Sequence, residues 1–211
     1  MGDDLALVNT LPYGSCMKKQ TKTSAARRNT AADPRIGPQD WVRAGLSTLA
    51  REGIDAVRVE PLAEFLGVTK GSFYWHFKDR AALHTAMLAA WRDAATREII
   101  RQVEVENLPA RRRLIRLIEL TTSNAKAARL ETAIRAWAQI DPAVGKVLAG
   151  ADAERLTYVA DLLRAAGMES STAEMRARIL YLILIGSFLA ASKTELASAP
   201  ELWREVSKLI M

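Results

Sequence analysis

The chain has one cysteine, Cys16, and only two histidines, His76 and His84. A lone cysteine cannot close an intrachain disulfide, and so few soft ligands leave no set for a structural zinc site. A reducing, cytoplasmic setting is the expectation. Long apolar runs are missing as well. The longest, "ILYLILIGSFLAA" at 179–191, lies between Arg178 and Lys193. It falls short of the roughly 20 residues a membrane span needs, so a buried helix is the better reading. The opening "MGDDLALVNTLPYGSCMKKQ" begins with acids and has no sustained apolar core, so no signal peptide is expected. Neither a Walker glycine loop nor a Gly-x-Ser-x-Gly elbow occurs, and acid pairs such as Glu104 with Glu106 sit among other charges. An enzyme is not expected on these grounds, nor is a cofactor or a metal.

Strand-like alternation is absent, whereas helical periodicity runs from Gln39 onward. Trp41, Ala44, Gly45 and Leu49 share one helical face, and Gly53 stands where that helix stops. Pro61 sits where a first helical turn tolerates proline. Thr69 can cap a short helix through "KGSFYWHF", and Asp79 can cap a long one over 80–104. Pro109 opens the next helix, and a short one is expected at 130–139 around Trp137. Asp141-Pro142 starts a run that Gly167 ends. Helices at 172–192 and 200–210 complete an all-α chain of about nine helices.

Charge is unevenly placed. The net charge is +6, which favours an anionic partner. Residues 1–37 show no period and read as a mobile basic tail. Within it Lys18, Lys19, Lys22, Arg27 and Arg28 occur with no acid between 16 and 30. This stretch reads either as a solvated leader or as an arm that follows a phosphate backbone.

Aromatics make up only 6% of the chain, yet four fall within "GVTKGSFYWHF" at 67–77. Leu62, Ala63 and Leu66 give the preceding helix an inner face, and Gly67 supplies a tight turn. Phe73 and Phe77 give the second helix its inner face. A small residue at the crossing, a glycine turn and apolar anchors are what a helix-turn-helix needs. Thr69, Lys70, Ser72, Tyr74, Trp75 and His76 then point outward. Gly71 lets a sugar-phosphate strand approach, and Lys78 adds charge beyond the helix. The alternative for Tyr74 and Trp75 is packing at the domain edge; for His76 it is a satisfied structural histidine.

The stretch "VRVEPLAEFLGVTKGSFYWHFKDRAALHTAML" resembles the N-terminal domain of the TetR family of bacterial transcriptional regulators. The resemblance is carried by Gly67, Val68, Thr69, Gly71, Tyr74, His76, Phe77 and Leu83, and is dense over about 39–90. The chain departs from the family pattern at Arg58, Arg80 and Ala81. What the resemblance implies is a ligand-responsive regulator, a repressor, that binds a palindromic double-stranded operator as a homodimer. The basic tail would cover 1–37, the DNA-binding domain 38–84, and a regulatory and dimerisation domain 85–211. The DNA-binding set is then Arg58, Thr69, Lys70, Gly71, Ser72, Tyr74, Trp75, His76 and Lys78. Leu182, Gly186 and Leu189 are the expected dimer face on the apolar helix, since a helix apolar nearly all round needs cover on every side. A small, largely apolar effector is expected against Met87, Trp91, Trp137, Tyr158 and Met175, with Trp137 the leading candidate. No membrane partner is expected, because the basic cluster is not periodic.

Overall fold

The computed structural model describes residues 36–190, 203–206 and 208. The basic stretch at 16–30 and the start of the expected last helix at Pro200 lie outside the described residues. Every described element is helical.

Helix α1 (Pro38–Glu52) begins at Gly37, whose backbone N–H donates to the Asp40 carboxylate at 2.7 Å. Its buried side, with Trp41, Val42 and Leu49, packs on α4 (Arg80–Arg92) and α7 (Ala125–Ile140). Gly45 is the close-approach point. A Cβ placed there would stand 2.6 Å from Met87 Sδ, so any larger residue would require the buried Met87 side chain to move. After a short 3₁₀ turn, α2 (Val59–Leu66) buries Leu62 and Ala63. Gly67 adopts φ 69°, ψ 28°, the left-handed conformation glycine reaches at least cost, and its amide returns to Ala63 and Glu64. Helix α3 (Lys70–Tyr74) follows, with Phe73 fully buried at the crossing. Phe73 meets Trp41 edge-on at 5.2 Å and stacks on Phe77 at 5.5 Å.

Asp79 caps α4 by accepting from the Ala82 amide at 2.8 Å. The helical path from Arg80 to Val105 is not uniform. A π-turn over Asp93–Arg97 separates α4 from α5 (Glu98–Val105). Helix α6 (Ala110–Thr122) starts after Pro109. Helix α7 is far longer than the expected 130–139. The Asn124 side chain caps it by accepting from Lys126 and Ala127 amides, so it gains a turn and a half ahead of its apolar residues. Asp141 caps α8 (Pro142–Ala165) in the same way, with Pro142 in its first turn. Gly167 at φ 96° follows, and α9 (Ser170–Ala190) packs against α8.

Two apolar clusters result. The larger joins α1 to α4 with Leu130, Ile134 and Trp137 of α7 and Val144 and Leu148 of α8. The smaller joins α6, α8 and α9 through Leu114, Leu163, Ala177 and Leu180. The core of the N-terminal helices therefore continues into α7 and α8, with no break in packing at residues 84–85. No described helix is long and apolar enough to cross a membrane.

Candidate DNA-binding surface and effector cavity

The α2–α3 unit presents a polar and aromatic face. Tyr74 is 55% and Trp75 88% exposed, while their neighbour Phe73 is fully buried. An aromatic ring left almost wholly in water gains nothing from the fold, so packing at the domain edge does not account for Trp75. Arg58, Thr69, Lys70, Gly71, His76 and Lys78 are exposed as well, and Ser72 is partly covered. Lys70 is ion-paired with Glu60 one helix earlier. That pairing holds the Glu60 carboxyl below its ordinary range and the Lys70 ammonium above its own. His76 Nε2 donates to the Ile36 carbonyl at 2.9 Å, which ties the chain ahead of α1 to the end of α3. Arg80 reaches back to the Ile54 carbonyl at 2.8 Å.

A cavity of about 440 Å³ opens between α1, the end of α4, the π-turn, α5, α6, α7, α8 and α9. Its walls are mostly aliphatic, with Leu46 of α1, Ile99 of α5 and Leu117 of α6 prominent. Volume and lining are those of a small-molecule site. Of the five residues expected here, Trp91 and Tyr158 line it. The other three sit elsewhere. Met87 is fully buried under Gly45. Trp137 is packed edge-on against His84 at 4.9 Å. Met175 is 54% exposed on the outer side of α9. Helical spacing identified these three as apolar positions but could not say which wall each would face.

One end of the cavity is a buried polar cluster that no local pattern announced. Glu131 of α7 is 4% exposed. It accepts from Trp91 Nε1 at 3.2 Å, from Arg135 Nε at 3.1 Å, and from Arg155 at 2.9 and 3.2 Å. Arg155 of α8 also donates through Nε to Thr96 Oγ1 at 2.9 Å and through Nη2 to the Ala95 carbonyl at 3.2 Å. Both acceptors belong to the π-turn. Arg135 grips Asp152 at 2.8 and 3.1 Å, and Tyr181 donates to Asp152 at 2.6 Å. Burial alone would lower the Arg155 pKa, but Glu131 and Tyr181 more than offset it and hold the guanidinium above its ordinary value. Burial first, with the Asp152 hydrogen bond also contributing, raises Tyr181 to about 12 against the pull of Arg155. The signal in the sequence was weak: Glu131 with Arg135 and Asp152 with Arg155 have the spacing of ordinary surface ion pairs.

The expected dimer residues lie on one stripe of α9. Met175, Ile179, Leu182, Gly186 and Leu189 recur at helical spacing, and Leu182 is 70% exposed. Nothing stands within 4 Å of a Cβ placed on Gly186. Among the described residues no group of three or more His, Cys, Asp or Glu side chains could hold a metal ion.

Residues 42–87 match the sequence family described as "Bacterial regulatory proteins, tetR family". The chain is 38% identical over 56 residues to the tetracycline repressor protein class A from transposon 1721 of Escherichia coli, covering 26% of each chain. It is 33% identical over 70 residues to the transcriptional regulator AcuR of Cereibacter sphaeroides, 33% of this chain and 32% of that one. It is 32% identical over 63 residues to the uncharacterized HTH-type transcriptional regulator TtgW of Pseudomonas putida, 30% of this chain and 47% of the relative. The matched stretch thus spans between a quarter and a half of these relatives. Likeness of fold extends further. A transcriptional regulator from Rhodococcus sp. Rha1 superposes with a TM-score of 0.68 at 18% identity, over 83% of this chain and 94% of the other. A Rhodococcus sp. protein assigned to the TetR family superposes with a TM-score of 0.62 at 24% identity, over 82% and 96%. The stretch 42–87, which holds the helix-turn-helix over α2 and α3, thus matches the tetR family of bacterial regulatory proteins, and the all-helical fold around it is shared with these solved structures over most of the chain.

Proposed function

We propose that this protein is a ligand-responsive transcriptional repressor that binds a palindromic operator as a homodimer and leaves it when a small effector fills the cavity. The observation that carries this reading is that Val42 and Leu46 of α1 belong at once to the core under the helix-turn-helix and to the cavity wall. An effector pressing on that wall presses on the helix that supports the recognition surface. On this reading residues 38–84 bind DNA and residues 85–211 hold the effector and the dimer contacts.

Arg58, Thr69, Lys70, Gly71, Ser72, Tyr74, Trp75, His76 and Lys78 form the DNA face. Lys70 exchanges Glu60 for a phosphate, Trp75 and Tyr74 meet base edges or sugars, and His76 holds the segment before α1. The apolar stripe of α9 pairs with its copy, helped by the exposed small residues Ala149, Ala153 and Thr157 of α8. Two recognition helices about 34 Å apart then meet successive major grooves. An effector releases DNA only if it binds the DNA-free arrangement better than the DNA-bound one.

Repeated selection of duplexes from a random pool by the full-length protein tests this. The reading expects enrichment of an inverted repeat, with footprints on both half-sites. Failure to enrich any sequence, by a folded protein, contradicts it.

A further inference from the structure

We infer that the cavity takes an uncharged, largely apolar effector and rejects organic anions and cations of the same size. The inference rests on the cavity being the effector site, and deepens that reading.

Two arginines and two carboxylates at the polar end would at first sight suit a charged ligand. Their hydrogen bonds leave no such vacancy. Arg155 has five N–H groups. These go to Thr96 Oγ1, to Glu131 Oε1 and Oε2, to the Tyr181 hydroxyl at 3.0 Å, and to the Ala95 carbonyl. Glu131 accepts four bonds, from Trp91, from Arg135 and twice from Arg155, which is the full capacity of a carboxylate. The Tyr181 hydroxyl donates once, to Asp152, and accepts twice, from Arg135 at 2.8 Å and from Arg155. Glu131 and Asp152 balance Arg135 and Arg155 in charge, so the cluster is neutral. Other polar side chains at the wall are also engaged: Gln102 donates to Glu98, Tyr158 to Glu104, Thr121 to the Leu117 carbonyl, and Arg43 pairs with Asp40.

A carboxylate entering the polar end of this cavity would lose its water without gaining a free cation there, an ammonium would find no free anion, and Arg43 elsewhere on the wall is already paired with Asp40. Burying a charge without a partner is strongly unfavourable. A ligand with an aliphatic or aromatic body and a hydroxyl or carbonyl suffers no such penalty. It can use the second lone pair and the hydroxyl hydrogen of groups such as Thr96.

Three probes of equal chain length decide the matter: 1-octanol, octanoate and octylammonium, each titrated into the full-length protein at pH 7. Binding is read as the fluorescence change of Trp91, obtained by difference against the Trp91→Phe variant. The alcohol should bind at least about tenfold more tightly than either ion. An ion that binds within tenfold of the alcohol overturns the inference while leaving the ligand response standing. If none of the three binds, the inference fails together with the cavity's role as an effector site. Glu131→Gln supplies the second arm. It takes one negative charge from the cluster and frees donor capacity on Arg155 and Arg135, so the gap between octanol and octanoate should narrow. A folded Glu131→Gln protein with an unchanged gap shows that the closed network is not the cause, and overturns the inference. Should the variant fail to fold, the comparison on the unaltered protein decides alone.

Discussion

Arg155 Nε donates to Thr96 Oγ1 at 2.9 Å, fastening α8 to the π-turn in the helical path that leaves the DNA-binding domain. A π-turn holds one residue more than an α-turn, so it is a place where a helix can change register at little cost. Here it lies at the cavity wall, since Ala94, Ala95 and Thr96 all line it. The segment that would carry a signal toward α3 is thus held by the same arginine that closes the polar end of the cavity.

Glu131→Ala should be among the most destabilising single changes in the molecule. It leaves Arg155 buried and short of its main anion, and breaking a buried pair in this way costs about 3–5 kcal/mol. Chemical denaturation checks the size. A loss below about 1 kcal/mol would show that the cluster relaxes freely, in contrast to its closed hydrogen bonding.

Alkaline stability should depend on Tyr181. Its folded pKa is raised to about 12 from the ordinary 10.0. A raised value means that the folded state holds the phenolic proton more tightly. The contribution is therefore complete below pH ~10 and is lost as the pH climbs toward ~12, up to about 3 kcal/mol. Tyr181→Phe should be less stable at neutral pH and should show a shallower decline over that window in a melting-temperature series.

Gly67→Ala should destabilise the helix-turn-helix by about 1–2 kcal/mol, because alanine resists the left-handed φ of 69°. The space around a Cβ there is open, so strain alone is tested. Thermal unfolding reads it, and a neutral outcome would mean that the turn has another accessible geometry.

Glu60→Gln should tighten DNA binding, and Lys70→Ala should weaken it and lower the salt slope by about one. Both follow from the exposed Lys70–Glu60 pair: removing the acid frees the ammonium for a phosphate. Titrations at several salt concentrations give affinity and slope together.

If α9 forms the proposed homodimer contact, Leu182→Glu and Gly186→Glu should split the dimer by placing a carboxylate in that helix pairing. Sedimentation at micromolar concentration shows the mass. A dimer that survives both changes removes the α9 stripe from the interface.

The helix-turn-helix was legible because its rules are local. Gly67, the small Ala63 and the spacing of Phe73 and Phe77 each specify one backbone feature within a few residues, and each sits where those rules place it. Asn124 shows the limit of the same reasoning. It caps α7, yet the alanine-rich turn after it has no apolar period to reveal the helix start. The cavity was less legible still. Met87, Trp137 and Tyr158 have similar patterns along their helices, and only the crossing of α1 over α4 and α7 decides that the first two are core. Glu131 and Arg155 were hidden because charge spacing within a helix does not say whether another helix covers it.

On the proposed function, filling the cavity should loosen the grip on DNA. The most direct measurement is fluorescence anisotropy of the full-length protein with its selected duplex, titrated without and with saturating 1-octanol. DNA affinity should fall, by about 5–150-fold for a coupling of ordinary size. An unchanged affinity, with octanol shown by Trp91 fluorescence to occupy the cavity, would contradict it.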